Sequence, residues 1–500
     1  MCKNYLIVLG SIINKKVIKP FLFIIMLFVT AIQLSGCYDA RGIEDLAYVT
    51  ALGIDIAENN TLALTFQISI PESSSSSGSG SSQSSKSENT TIQCNSINSG
   101  ISLANSYISK QINLSHCKVI VFSEKIASKG LNEYIDTLSN NIEIRPNCNV
   151  IISRGTAKDF IENAKPSIET LTARYYEVAL KSNDYTGYTT STEFATFVND
   201  IKNSFVEASA ILGGINNGKN IAKNNSLIDS NYVAGETPIK SGNKQEKTGG
   251  DSDNNKPGSG ENGNTNSSKP SNEKTENSGI VELDDKESAN NMETFGTAVF
   301  HSDKFVGELT GFETLCFLLL TDKFESCTVS VPNPLSNTNN ENTIKQDQSS
   351  QGTETNADQT TLSKETSAKS SQIDLIITES KKSKIKVDTS GGTPNITIDL
   401  FLEAHGLTLN DTIDYTSIQD VAALENSAKQ FLNDKISIFL YKTSKEYNSD
   451  IVGFGKYALS KYLTWDDWQK SNWTENYKNA NFNVNVNLNI LSGEEFDKSP

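Results

Sequence analysis

Histidine is scarce in this chain, and the little present is scattered. His116, His301 and His405 are the only three in 500 residues, so no histidine cluster exists for acid–base catalysis or for zinc. Basic charge is short as well: 44 Lys and Arg face 60 Asp and Glu, a net charge of −16. A nucleic-acid binder needs a basic face to displace counterions from phosphates, so that class is excluded. Adhesion to anionic lipid by charge alone is excluded on the same ground. No apolar run is long enough to cross a bilayer. The longest, Phe21–Ile32, has twelve residues, which as a helix span about 18 Å against a hydrocarbon core of about 30 Å. There is no C-x-x-C, and the spacings of 23, 31, 168 and 11 that separate Cys94, Cys117, Cys148, Cys316 and Cys327 suit no zinc module. Composition thus points to a non-enzymatic extracytoplasmic protein without metal, cofactor or catalytic residues.

What is present begins with a targeting segment. Lys15, Lys16 and Lys19 form a positive region ahead of Phe21–Ile32, the pattern of a signal peptide. That segment ends in Leu34-Ser35-Gly36-Cys37, which resembles the bacterial lipobox. In that class the peptide 1–36 is removed and the thiol of Cys37 carries a diacylglyceryl group. Two acyl chains hold a protein stably at a membrane where one holds it marginally. An ordinary secretory signal followed by a chance cysteine is the plainer alternative. The five later cysteines read as buried small apolar thiols; a disulfide between two of them stays open in an exported chain.

Three stretches cannot build a core: the serine-rich 71–90, then 216–291 with one aromatic, and 333–371 with none. Each buries too little apolar surface to offset chain entropy of about 1–2 kcal/mol per residue. The run Gly258-Ser259-Gly260-Glu261-Asn262-Gly263 in the second of them is a literal G-x-G-x-x-G. It lacks the strand before and the helix after that a dinucleotide site requires.

Elsewhere strands and helices alternate. Ala47–Ile56 and Thr61–Ile70 read as a hairpin around Glu58-Asn59-Asn60. In its second strand Leu62, Leu64, Phe66, Ile68 and Ile70 share a buried face, and Ala63, Thr65, Gln67 and Ser69 share a wet one. Leu103, Tyr107 and Ile108 have helical spacing, as do Ala127, Leu131, Tyr134, Ile135 and Leu138. Lys118–Phe122 and Cys148–Ile152 are strands, and Thr156 caps a short helix. Phe295–Phe305 reads as strand, turn and strand. Glu308–Leu320 is a helix with a buried end, and Val421 to Phe439 forms a long amphipathic one. Phe482–Ile490 alternates strictly between Asn and apolar residues, a strand. The fold class is therefore α+β, a mixed α/β chain. Three small sheet-plus-helix domains follow one another, joined by long disordered inserts, after the cleaved lipoprotein signal. The expected boundaries are 1–36 for the signal, 38–212 for the first domain with its insert 71–90, and 213–291 for a linker. A middle domain covers 292–371 with its insert 333–371, and a last domain 372–500.

Four blocks carry a resemblance to a known family: Gly36–Asp55 (GCYDARGIEDLAYVTALGID), Ser115–Leu131, Gly296–Glu313 and Asp450–Ile490. They resemble the Ger(x)C lipoproteins, the C subunit of nutrient germinant receptors in spore-forming bacteria. The resemblance implies three α/β-type domains on a lipid anchor and no enzymatic activity. It also implies two multi-pass membrane partners, the A-type and B-type subunits, and a place on the outer face of the spore's inner membrane. This chain departs from the family in carrying Tyr38 where Trp is usual, Val452 where Phe is usual, and longer inserts.

Beyond Cys37, the candidate residues fall in three groups. Asp39, Arg41, Glu44 and Asp45 follow the anchor and either touch the membrane subunits or form a solvated lead into the first strand. Gly53 and Asp55 shape the hairpin, glycine for close approach and aspartate for the turn. Gly453 and Gly455 around Phe454 either end one element and start another or make a bend that inserts the ring into a partner. Trp465, Trp468 and Trp473 read as core, and Asp466-Asp467 point apart on a helix and form no acid–base pair. The reading from these residues is a lipid-anchored, non-catalytic receptor subunit. A solute-binding lipoprotein of a transporter is the alternative, so direct small-molecule binding stays open. A tethered cell-wall hydrolase lacks its carboxylate pair.

Overall fold

The structure, a computed structural model, describes residues 15–33, 42–70, 87–164, 171–216, 234, 291–336, 372–406, 413 and 417–491. The Phe21–Ile32 run lies on helix α1 (Lys15–Gln33), whose side chains from Lys19 to Thr30 are exposed. No described helix is long and apolar enough to cross a membrane.

The chain then builds a nine-stranded sheet. Its central strands β1 (Leu46–Ile56), β5 (Val119–Ser123), β6 (Asn149–Ser153) and β7 (Ser209–Asn216) run parallel. On one side β2 (Leu62–Ser69) and β3 (Ser87–Cys94) add antiparallel strands. On the other, β8 (Asn291–His301) and β9 (Lys304–Leu309) do the same. The short β4 (Gln111–Asn113) pairs with the start of β1. All five residues of β5 are buried because helices cover both faces of the parallel centre. Ile120 and Phe122 enter one core, and Val119 and Val121 the other. On the first side lie α2 (Ile97–Tyr107), α3 (Glu124–Ala127), α4 (Asn132–Ser139) and α8 (Phe194–Lys202); α5 (Ala157–Glu162) and α6 (Thr172–Ala179) lie on the other, and the short α7 is Asn183–Thr186.

The second sheet has four strands: β10 (Ser326–Pro332), β11 (Gln372–Asp388), β12 (Asn395–Gly406) and β13 (Asn481–Ile490), the last parallel to β12. Helix α9 (Gly311–Leu320) starts at a capping box between Thr310 and Glu313 and is buried on nearly every side. Its cluster joins α10 (Ile418–Tyr441) and the inner face of this sheet. Three short helices, α11 (Phe454–Leu459), α12 (Trp465–Ser471) and α13 (Trp473–Tyr477), close the unit.

Several expectations change. The segment 292–371 is divided between the sheets: β8 and β9 extend the first, and β10 opens the second. Strand edges left by β7 and β11 attract those hairpin partners, so chain order does not set sheet membership. Part of the serine-rich 71–90 is ordered, since β3 begins at Ser87 and pairs Ser87 to Thr90 with Ser69 to Phe66. The face of β2 expected to be wet is covered. Thr65 and Gln67 are buried, and Gln67 donates to Ile161 O at 3.3 Å and accepts from Tyr176 Oη at 3.0 Å. In α2 Leu103 and Tyr107 are exposed, while Ile97, Gly100 and Ala104 face inward. An added Cβ at Gly100 would lie 2.5 Å from Leu64 Cδ1, so this helix sits too close to the sheet for large side chains. The helix expected over Ala127 to Leu138 breaks into α3 and α4 at Gly130, whose φ is +119°.

Candidate functional site at the junction of the two sheets

The segment Tyr447–Gly455 runs from the π-helical turn Lys442–Glu446 that follows α10 into α11, and meets the lead into β7 and strand β8 of the first sheet. Asp450 O accepts from Glu207 N at 3.0 Å, and Ser449 Oγ donates to Phe300 O. The Asp450 carboxylate is buried and turned back on its own chain. Its Oδ1 accepts from Gly453 N and Phe454 N, each at 2.9 Å. Its Oδ2 accepts from Gly455 N at 2.7 Å and Trp473 Nε1 at 2.8 Å. The run Asp450-Ile451-Val452-Gly453-Phe454-Gly455 puts a carboxylate three to five residues before the free N–H groups of a helix start, a local capping geometry. Gly453 takes φ +80°, and a Cβ on Gly455 would lie 2.5 Å from Phe205 O, so both positions need glycine. Burial pushes Asp450 up to about 6 even against its four donors, which favour the charged form. Those four bonds saturate the carboxylate, which leaves it a clamp rather than a ligand or base.

Glu207 faces the same junction. Its Oε2 accepts from Ser302 N at 2.7 Å, and Oε1 lies 3.5 Å from His301 Nδ1, which also lies 2.8 Å from Asn448 O. Burial, against the Ser302 bond and with the Asp450 charge added, pushes Glu207 up to about 7. A folded-state value above the ordinary 4.5 means that the stabilisation is complete at low pH and is lost as pH rises through about 7. Raising the pH from about 5 to 8 is expected to remove roughly 2–3 kcal/mol through this group. Glu207→Gln should flatten that part of the dependence in urea titrations at the two pH values; equal slopes in the two proteins would refute the assignment.

The residues singled out in the sequence disperse. Cys37, Asp39 and Arg41 lie outside the described residues. Glu44 and Asp45 are exposed on a single 3₁₀ turn, Ile43–Asp45, before β1. Gly53 lets α5 approach β1: a Cβ there would stand 2.8 Å from Ile161 Cδ1. Asp55 is not the hairpin turn. It is buried and accepts from Ala157 N at 2.8 Å and Lys158 N at 3.0 Å, tying the start of α5 to β1. Desolvation raises it above the ordinary carboxylate range. Phe454 packs inside, near Tyr477 and Phe482, so its ring is not offered to a partner. Trp468 and Trp473 are buried and stacked at 6.0 Å, while Trp465 is exposed. Asp467 accepts from Thr464 Oγ1 at the start of α12. Glu207, Asp450 and Trp473 are the junction's working groups, and only the D-x-x-G-x-G spacing could have pointed to one of them.

The five described cysteines are buried thiols, with the sulfurs of Cys117 and Cys148 3.9 Å apart. Among the described residues no group of three or more His, Cys, Asp or Glu is placed to hold a metal. A polar recess of about 300 Å³ lies ahead of β5 and β6, lined by His116, Lys118, Arg145, Glu177 and Glu193 among others. Lys118 pairs with Glu177 across it. Burial, helped by Arg145 and Lys118, holds His116 below its ordinary value.

Comparison with known proteins matches both halves of the chain. The family described as "Spore germination protein N-terminal domain" matches residues 39–215. The family described as "Spore germination B3/ GerAC like, C-terminal" matches residues 295–374 and 353–493. Spore germination protein KC of Bacillus subtilis (strain 168) is 26% identical over 147 residues, covering 29% of this chain and 36% of that protein. Spore germination protein B3 of the same organism is 28% identical over 143 residues, covering 28% and 37%. The aligned stretches thus span little more than a third of either relative. A crystal structure of the GerBC protein is similar at 15% identity and a TM-score of 0.38, covering 88% of this chain and 96% of that one. The two family matches follow in order through both sheets and the junction between them, and the chain belongs to the Ger(x)C family of spore germination proteins.

Proposed function

We propose that this chain is the lipid-anchored, non-catalytic C-type subunit of a spore germinant receptor. It would sit on the outer face of the spore's inner membrane and couple nutrient sensing to germination beside the two multi-pass subunits. The observation that carries the reading is the ordered pair of family matches behind a Leu34-Ser35-Gly36-Cys37 sequence. The fully bonded Asp450 suits a buried clamp that couples the two sheets. An anchor confines the subunit to the plane of its partners and raises its effective concentration there. We further propose that the first sheet and the second act as two units meeting at Asp450, in place of three independent domains.

Cys37→Ala is expected to move the protein from the membrane fraction to the soluble or unprocessed pool. Nutrient-triggered loss of optical density should then fall sharply in spores that carry only the variant. Normal germination with unacylated protein would overturn the reading.

A further inference from the structure

The parallel run of β1, β4, β5 and β6 places the segments that precede them at one end of the first sheet. Three large hydrophobic side chains stand exposed there. Ile43 precedes β1 at 75% exposure, Tyr107 ends α2 just ahead of β4 at 81%, and Ile142 precedes β6 at 99%. Pairing draws the three segments together. Leu46 is opposite Gln111, Tyr48 is opposite Asn113, and Glu143 Oε2 accepts from Leu114 N at 2.8 Å. Lys110 and Arg145 are exposed beside them, as are Glu44 and Asp45. Charge at this end is mixed and the chain is acidic overall, so electrostatics gives no net pull toward anionic lipid. Apolar surface and tether length decide instead. The five residue steps from Cys37 to Gly42 reach at most about 18 Å when fully extended. A chain acylated at Cys37 must therefore keep the lead into β1, and the end of the sheet around it, close to the headgroups. Exposed isoleucine and tyrosine are suited to that layer, where apolar burial is favourable and a phenol can stay hydrated.

We infer that the end of the first sheet carrying Ile43, Tyr107 and Ile142 rests on the bilayer, with these three side chains seated among the lipid headgroups. The inference depends on the anchor proposed at Cys37. It fixes the orientation of the body: the turn Glu58–Asn60, beyond the far end of β1, points away from the membrane.

The test uses the acylated full-length chain in vesicles of phosphatidylglycerol and phosphatidylethanolamine. Because the five described cysteines are buried thiols, Ile142→Cys and Glu58→Cys can each be labelled selectively with an environment-sensitive fluorophore. The expected result is a blue shift at residue 142 and strong quenching by lipids spin-labelled near the headgroup, with little of either at residue 58. Vesicle flotation of the same samples separates the two ideas. Protein that fails to float refutes the anchor and this orientation together. Protein that floats with equal or reversed quenching refutes the orientation alone. Shielding of residue 142 only when the multi-pass subunits are present would assign this end to a protein partner and overturn the inference.

Discussion

Asp450→Ala is expected to destabilise the protein by about 4 kcal/mol or more, which lowers the melting temperature by roughly 10 °C. The methyl group would leave the N–H groups of Gly453, Phe454 and Gly455 and the indole N–H of Trp473 without their acceptor. Each orphaned buried donor costs about 1–3 kcal/mol. Water cannot readily replace the carboxylate, because Trp473 stacks on Trp468 and Phe205 O lies against Gly455. Asp450→Asn keeps one acceptor oxygen and replaces the other with an NH2 group, so about half of the loss should return. Thermal unfolding of the three proteins by near-ultraviolet circular dichroism, which reads the tryptophan environment, checks both figures. An alanine variant as stable as the parent would show that the clamp is not what holds α11 and α13 to the first sheet.

Gly296→Ala is expected to be nearly as damaging, at about 3 kcal/mol or more. Gly296 has φ +90°, and an added Cβ would press inside van der Waals contact on Leu309 O, a backbone atom with no room to move. Its own N–H donates to Tyr188 O at 2.7 Å, which ties β8 to the segment after α7. Forcing β8 away from β9 to admit a methyl would break the hairpin that closes the first sheet. Gly155 provides the comparison. It has φ +99° but no atom within 4 Å of where a Cβ would stand, so Gly155→Ala carries only the torsional cost of about 1–2 kcal/mol. Urea midpoints for the two variants should differ accordingly. Equal midpoints would mean that the clash at Leu309 O relaxes at no cost.

Much of the element pattern was legible along the chain because it depends on neighbours in sequence. The four-residue apolar run Val119–Phe122 of β5, the Ser302-Asp303 turn between β8 and β9, and the alternation of β13 all appear where local pattern puts them. The family blocks were legible for the same reason, since each is a contiguous string. The departures from expectation share one cause. Thr65 and Gln67 are buried because α5 and α6, some ninety residues later, cover that side of β2. The inward face of α2 is its small-residue face because the helix packs almost onto Leu64 and Cys94. A polar residue next to water and a polar residue beneath a helix have the same alternation, so period alone does not separate them.

The amino-acid order by itself determined the composition class, the lipobox-like string that ends at Cys37, and the local elements. Each depends on stretches of a few to about twenty residues, whose propensity and periodicity need no distant partner. The tertiary structure alone decided that the segment after residue 291 splits between two sheets. It also decided that Asp55 holds a helix rather than a turn, and that Glu207 and Asp450 meet at one junction. Those facts depend on contacts between residues about one hundred to two hundred and forty positions apart. Such contacts form only when buried donors and apolar faces of the whole chain are satisfied together.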